Sequence, residues 1–468
     1  MIGLAQETDQ YVAAFSRFLQ ERAGQDGRSE ASGARRSFLT PIRRQAIARF
    51  AEVGFPTASD EEWRKTNVAP IAKTAFRVPP ETMAGDSMAA PDLSMVPRPM
   101  FSDATAAHEL VFVNGRFSRR LSRVGPLPRG IHAGSLARTL ASDANELEPY
   151  LAKIADPKLS PFTALNAAFM EDGACVLVPD GKVLADPIHL LFLATGPEGE
   201  TADAPLMLHP RNLIVLGADS QATLVETYAG IGSSRYLTNA VTEIVSQEGS
   251  VLDHYRVQLE TDRAFHVGRV QAALDRGARI SSFSVSLGAA LSRNDAAVAL
   301  TAEGAECALN GLYMASGSQH MDNHTTIDHI RPRCTSRELY KGVLDGKSRA
   351  VFNGKIIVRP DASNTDSRQT NRNLLLSEEA LVDTKPELQI HNNDVKCNHA
   401  AAIGQLDEGA IFYLRTRGLD QEAARSLLIH AFVSEMMGHV KLEPLRDELE
   451  ALLLARLPGY GGVKEAAL

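Results

Sequence analysis

The chain lacks the features of a self-contained metal site and of a membrane span. Its 468 residues include four cysteines, none of them in a Cys-x-x-Cys pair: Cys175, Cys307, Cys334 and Cys397. Without such pairs the sequence encodes neither a local zinc site nor an all-cysteine cluster site. So few cysteines are typical of a reducing compartment, where thiols stay free. No run of about 18 apolar residues occurs, so we expect no membrane span.

A long run of basic residues is missing as well. The formal net charge is −8, and the absence of a basic stretch argues against nucleic acid as the main partner. The first residues, MIGLAQETDQYVAAF, include early acidic residues and no continuous apolar segment, unlike a signal peptide. We therefore expect a soluble, cytoplasmic protein that binds neither nucleic acid nor membranes.

Apolar residues make up 44% of the sequence, enough for a large core. Residues 1–105 are predicted to form an N-terminal helical domain and a linker. Four apolar residues recur at helical spacing before Gly54, namely Ile42, Ala46, Phe50 and Val53. The prolines within 78–99 indicate a linker or an extended arm. The segment ELVFVNGRFS that follows is typical of a strand and an Asn-Gly turn.

The middle of the chain repeats one pattern, a turn at glycine followed by an alternating strand. The four glycines are Gly217, Gly249, Gly277 and Gly304, at intervals of 32, 28 and 27 residues. Such a period indicates stacked units, none of which buries its apolar face alone. We predict a mainly β protein whose residues 106–408 form a parallel β-helix, a type of solenoid, with a helical insertion near 135–169. A meandering β-sandwich is the alternative.

Residues 409–468 are predicted to form a C-terminal helical domain. Asp420 is placed to cap a helix whose apolar stripe includes Leu427, Leu428 and Phe432. This stripe either contacts another protein in part or only packs on the end of the solenoid.

Two motifs suggest other chemistry. In Gly342-Val343-Leu344-Asp345-Gly346-Lys347-Ser348, three residues separate the glycines where a phosphate-binding loop needs four, and a strand-like segment follows where a helix is required. We expect no nucleotide site there. His320, His324 and His329 lie in a segment that favours a strand, which puts the first two on one face and the third on the other. These side chains either hydrogen-bond to one another or handle metal.

A polar segment, DASNTDSRQTNRN over 361–373, suggests a rival function. It contains Asp361, Asp366, Arg368 and Arg372, and β-helix enzymes that act on acidic polysaccharides use carboxylates with an arginine. The single tryptophan, Trp63, lies outside the repeat region, whereas sugar clefts usually need aromatic platforms.

Cys397 and His399 form a Cys-Asn-His sequence. On a strand they point to the same side, where a thiolate and an imidazole can bind a soft metal or sulfur. Two ligands cannot hold a cluster alone, and a buried cysteine beside a hydrogen-bonded histidine is the alternative.

Longer strings make a resemblance specific. MDNHTTIDH, PRCTSRELYKGVLDGKSRAVFNGKIIVRPDASNTDSRQTNRNLLLS, VDTKPELQI and DVKCNHAAAIGQLDEGAIFYLRTRG, within about 205–435, resemble the SufB/SufD scaffold family, as does EEWRKTN around Trp63. SufB-like chains have a glutamate at Ala400, a cysteine at Arg372 and FYCxxRG where this chain has Phe412 to Gly418. The sequence is therefore more similar to the SufD side of the family.

The resemblance implies a right-handed parallel β-helix between N- and C-terminal helical domains, in a non-catalytic scaffold for iron–sulfur cluster assembly. It implies a heterodimer with SufB through the ends of the β-helices, and a SufC ATPase on the C-terminal helical domain, where Leu427, Leu428 and Phe432 are candidate contacts. A transient Fe–S cluster would form at the SufB interface with His399 as a metal ligand and Cys397 beside it, and no cofactor would stay bound. A homodimer of the chain alone, a SufB-like role and a polysaccharide lyase or hydrolase are the alternatives.

Overall fold

The computed structural model describes residues 2–25, 30–87, 108–196 and 204–457. Of the predicted linker at 78–99, residues 88–99 lie outside the described residues. None of the helices in these ranges is long and apolar enough to cross a membrane.

Helices lie at both ends of the chain and in one insertion. The α-helices of the described ranges are α1 (Ile2–Gln25), α2 (Glu30–Val53), α3 (Ala69–Ala72), α4 (Leu136–Ser142), α5 (Ala144–Leu147), α6 (Pro161–Phe169), α7 (Glu408–Thr416), α8 (Gln421–Met437) and α9 (Glu443–Ala455). One-turn 3₁₀ helices occupy Glu61–Trp63, Glu81–Met83 and Gly85–Ser87. The helical insertion predicted near 135–169 is thus α4, α5 and α6.

The rest is β-structure. The strands are β1 (His108–Val113), β2 (Arg116–Val124), β3 (His132–Ser135), β4 (Ala174–Val178), β5 (Ile188–Thr195), β6 (Leu206–Leu208), β7 (Arg211–Leu216), β8 (Gln221–Ile231), β9 (Tyr236–Ser246), β10 (Val251–Leu259), β11 (Phe265–Leu274), β12 (Arg279–Ser286), β13 (Leu291–Leu300), β14 (Glu306–Ala315), β15 (His320–His329), β16 (Thr335–Leu344), β17 (Arg349–Val358), β18 (Thr365–Leu375), β19 (Leu381–Ile390) and β20 (Val395–Gln405).

The strands form two sheets that together make a parallel β-solenoid. The first sheet has the order β2-β1-β5-β8-β10-β12-β14-β16-β18-β20, and the second has the order β19-β17-β15-β13-β11-β9-β7-β4-β3, with β6 on β9. From β8 onward the chain alternates between the sheets and pairs in parallel with the strand one coil away. The predicted solenoid is confirmed.

Glycine turns set this repeat. Gly249, Gly277 and Gly304 have φ of +66°, +61° and +73° and lie in the turns before β10, β12 and β14. That left-handed backbone conformation is available to glycine at little cost. The predicted Asn-Gly turn between β1 and β2 is also present, with positive φ at Asn114 and Gly115.

Equivalent inward positions stack into ladders along the solenoid, because consecutive coils pair in register. One ladder in the first sheet runs through Leu252, Ile280, Cys307, Ser336, Ser367 and Cys397. The next runs through His254, Ser282, Leu309, Glu338, Gln369 and His399. Both ladders end at β20.

Helices cover the outer faces of both sheets. On the second sheet, Phe50 of α2 and Phe162 of α6 share one apolar cluster with Phe265. On the first sheet, α8 and α9 share a cluster with Val257, Phe283, Leu312 and other outward residues of the strands. The C-terminal helices therefore pack along the side of the solenoid, not only on its end.

The buried face of α8 differs from the predicted stripe. It is capped by Asp420 as expected, but Ile429, Val433 and Met436 form its fully buried side. Phe432 of the predicted stripe also packs against this cluster, whereas Leu427 and Leu428 are only half-buried, so the predicted stripe overlaps the buried face only in part.

Candidate functional site

The solenoid ends at two strands that carry no further coil. Within the described part of the chain, β19 is the last strand of the second sheet and β20 the last strand of the first. Leu381, Ile390 and Ile403, all on these strands, remain 51%, 41% and 50% exposed. An edge strand with unpaired backbone groups and exposed apolar side chains is a template for pairing with another chain.

Cys397 and His399 both lie on β20 at this end. Cys397 is half-buried and packs against the cluster of Ile356, Val358 and Ala362, and burial raises the pKa of its thiol. His399 is exposed and lies two residues further on, hence on the same face of the strand. Both residues therefore lie on a strand, as the sequence predicted.

Polar groups lie directly below these two residues. Ser367 lies one coil beneath Cys397 and Ser336 two coils beneath it; their hydroxyl oxygens are 2.7 Å apart, and His329 Nε2 lies 2.9 Å from the Ser336 hydroxyl. The coil beneath His399 carries Gln369, whose Nε2 donates to Glu338 Oε2 at 2.8 Å. The end of the solenoid thus has a polar interior.

Glu338 is buried, and it accepts a hydrogen bond from the Thr325 hydroxyl. Burial raises the pKa of its carboxyl to about 7. Sequence reasoning missed Glu338 and Gln369, although a signal existed. They precede His399 by 61 and 30 residues, which are two coils and one coil of the repeat.

The other cysteines are placed for packing. Cys175, Cys307 and Cys334 are buried, and burial raises the pKa of each thiol, that of Cys175 to about 12. Thiols of this kind are poor nucleophiles and metal ligands at neutral pH. Among the described residues, no group of three or more His, Cys, Asp or Glu side chains is placed to hold a metal ion.

The three histidines of β15 take part in hydrogen bonds. His329 faces inward, whereas His320 and His324 face outward, as the strand pattern predicted. His320 Nε2 lies 2.9 Å from the Thr66 hydroxyl, and His324 Nδ1 lies 3.1 Å from Glu62 Oε2. Residues 61–66, here named the N-terminal docking segment, are therefore bound to the second sheet.

A buried arginine centres this contact. The Arg293 guanidinium donates to Asp322 at 2.8 Å and to the Glu62 carbonyl at 2.6 Å, and its central carbon lies 3.8 Å from the centroid of the Trp63 ring. His324 Nε2 lies 3.0 Å from Asp322 Oδ1. Although burial opposes its charge, the Asp322 carboxylate raises the pKa of His324 to about 9.

The glycine motif at 342–348 and the polar segment at 361–373 lie in strands and turns of the solenoid. Gly342 lies within β16, and Lys347 pairs with Glu379 at 3.1 Å in a turn that leads directly into β17, so the predicted strand is confirmed and no phosphate-binding loop forms. Asp361 pairs with Arg331 at 3.4 Å and Asp366 with Arg337 at 2.8 Å. These carboxylates are engaged separately in ion pairs.

The three candidate SufC contacts on α8 differ in how they pack against the rest of the chain. Phe432 packs against the core shared with the first sheet, and the Lys341 ammonium lies 4.4 Å from its ring centroid. Leu427 and Leu428 are half-buried outside that core. On α7, Phe412 and Tyr413 are 68% and 57% exposed.

Comparisons with known proteins identify related chains. Residues 199–432 match the family model "SUF system FeS cluster assembly, SufBD core domain", and residues 25–190 match "SufBD protein N-terminal region". An iron-sulfur cluster assembly SufBD family protein of Synechocystis sp. is 33% identical, over 91% of this chain and 92% of its own. Iron-sulfur cluster assembly protein SufD of Escherichia coli is 30% identical, over 92% of this chain and 95% of its own. SufD of Bacillus subtilis is 27% identical over 62% and 65%.

Proposed function

This chain belongs to the SufBD family of the SUF iron–sulfur cluster assembly system, and on that basis we propose that it is a non-catalytic, SufD-type scaffold subunit. It would pair with SufB, receive the SufC ATPase and contribute a ligand to a cluster that is built and then passed on. The observation that carries the proposal is the end of the solenoid, where no further strand of the described ranges pairs with β20 and His399 is exposed.

The site has the composition expected of one half of a shared site. His399 supplies an imidazole, and Cys397 supplies a thiol that is only half-buried. Clusters of this kind need about four ligands, so a partner must provide the others. Ligands divided between two subunits also suit a cargo that must leave, because separating the subunits breaks the coordination.

Pairing with SufB is proposed to use the same end. The free edges of β19 and β20 offer backbone hydrogen-bonding groups, and Ile403 adds exposed apolar surface beside them. A homodimer of this chain through the same edges is the alternative when SufB is absent. We place the complex in the cytoplasm.

SufC is proposed to bind the C-terminal helices. Leu427 and Leu428 lie on α8 outside the core shared with the sheet, so they are available to a partner while the opposite side of the helix holds it in place. The chain itself would contribute no nucleotide chemistry, and ATP hydrolysis would reside in SufC.

The test is purification of the tagged chain after co-production with SufB and SufC, followed by assay of bound iron and sulfide. His399→Ala should retain both partners and lose most of the iron and sulfide. The cost in stability should be about 1 kcal/mol, because an exposed side chain leaves no cavity. Asn398→Ala, on the same strand with its exposed side chain on the opposite face, is the matched control.

Two results would count against the assignment. Wild-type iron and sulfide in the His399→Ala complex would remove His399 as a ligand. Failure of the wild-type chain to retain SufB and SufC would contradict the scaffold role itself. Cys397→Ala should have a milder effect than His399→Ala.

A further inference from the structure

The ladder that ends at His399 contains an unpaired polar atom. Gln369 is completely buried on β18, and its Oε1 has no hydrogen-bond partner in the described structure. A buried amide carbonyl without a donor is unfavourable and uncommon. A group that reaches Oε1 at some stage of the protein's work would account for it.

The orientation of the Gln369 amide is fixed from below. Its Nε2 donates to Glu338 Oε2 at 2.8 Å, and the other Glu338 oxygen accepts from the Thr325 hydroxyl. Gly354 makes room for the amide, since a Cβ there would lie 2.1 Å from Gln369 Nε2. With the nitrogen held by Glu338, the oxygen is left for another donor.

The neighbouring inward residues of β18 already have partners. Ser367 is hydrogen-bonded to Ser336, and the Asn371 amide donates to the Tyr340 carbonyl and the Tyr313 hydroxyl. Above Gln369, the residue in register on β20 is His399. The His399 imidazole carries an N–H and is the next side chain along this ladder.

We propose that Gln369 is a positioning residue for His399, whose ring N–H donates to Gln369 Oε1 when the cluster site is formed. A neutral imidazole has one N–H and one nitrogen with a free lone pair. A hydrogen bond from the N–H to Gln369 fixes the tautomer and presents the other nitrogen to iron, as outer partners of metal-binding histidines commonly do. This inference rests on the proposed function of His399 as a ligand and adds the group that orients it.

The test uses the full chain labelled with ¹⁵N-histidine and assembled with unlabelled SufB and SufC, first without metal and then with the cluster. In the metal-free complex, ring ¹⁵N shifts report the His399 tautomer, assigned by loss of its signals in His399→Ala. Gln369→Met removes the carbonyl at similar length and should replace a single tautomer with a mixture. In the complex it should lower iron retention about tenfold and weaken the histidine ¹⁵N coupling in pulsed EPR of the reduced cluster.

Two further variants control the experiment. Ser367→Ala changes a buried residue on the same face of the same strand and should leave the His399 tautomer and the iron content unchanged. The double variant Glu338→Gln with Gln369→Glu exchanges the two side chains. It keeps a hydrogen bond between positions 338 and 369 and, unlike Gln369→Met, keeps an acceptor oxygen below His399. It should recover the tautomer and the iron lost in Gln369→Met, even if Gln369→Met folds poorly.

The outcomes separate this inference from the proposed function. If His399→Ala loses the cluster but Gln369→Met matches wild type in tautomer, coupling and iron, Gln369 has no positioning role. Failure of the swap to restore the tautomer would also overturn it. If His399→Ala keeps the cluster, the ligand assignment is wrong, and the metal-free tautomer still reports whether Gln369 orients the ring.

Discussion

Replacing His324 by glutamine should remove a pH dependence from the attachment of the N-terminal docking segment. The imidazole is 8% exposed and lies between Asp322 and Glu62, 3.0 and 3.1 Å from their carboxylate oxygens. Its pKa is raised to about 9 in the folded chain, against about 6.5 when unfolded. His324 therefore binds its proton more tightly in the folded state than in the unfolded state, and protonation stabilises the fold.

The difference between the folded and unfolded pKa of His324 sets the sign and the size of the pH effect on stability. A pKa raised on folding gives stabilisation that is complete below about pH 6.5 and lost as the pH rises through about 9. Its full value is at most about 3 kcal/mol. The Arg293 guanidinium, 3.3 Å from His324 Nε2, opposes the charge, and the pKa of about 9 already includes this repulsion. His324→Gln keeps a hydrogen-bonding side chain and loses the titration.

Trp63 makes the measurement local. It is the only tryptophan in the chain, is buried in the docking segment and stacks under Arg293. Denaturant titrations followed by its fluorescence at about pH 6 and about pH 9.5 should show a loss of stability in wild type and a much smaller loss in His324→Gln. His320→Gln, on the same face of β15, is the control. Parallel losses in wild type and His324→Gln would refute the reasoning and indicate a neutral His324 that accepts from Arg293.

Three further outcomes are expected. Leu445→Ala should lower the free energy of unfolding by about 2–4 kcal/mol in denaturant titrations, because the side chain is fully buried between α9 and the first sheet. A change below about 1 kcal/mol would show that the helices are not part of the core. Leu428→Glu should abolish retention of SufC in co-purification, whereas Val183→Glu, at an exposed apolar position elsewhere, should not; equal retention would move the SufC contact away from α8. The purified chain should not hydrolyse ATP, and turnover abolished by Lys347→Ala would contradict the structure of that turn.

The repeat could be predicted from sequence because its signals are local. The glycines that recur at several turns and the alternation along each strand depend on backbone geometry and on the two faces of a strand, both readable without knowing the tertiary contacts. The Asn114-Gly115 turn and the Asp420 cap were predictable for the same reason. The juxtaposition of Cys397 and His399 needed only the two-residue period of a strand.

The packing of the C-terminal helices could not be predicted in this way. Helical spacing marks an apolar side but not the surface that covers it, and Leu428 and Ile429 are equally apolar in the sequence. Glu338 and Gln369 were missed because polar residues on a strand ordinarily indicate a solvent-facing side. Only the in-register stacking of coils shows that they lie inside, below His399.

Among the described strands, none pairs with the outer edges of β19 and β20. A chain produced in excess of its partner would retain two free strand edges and the exposed Leu381, Ile390 and Ile403. Free edges of this kind favour self-association and aggregation. If a partner covers these edges as proposed, balanced synthesis of the two subunits, or removal of unassembled copies, is a requirement that the fold itself imposes on the cell.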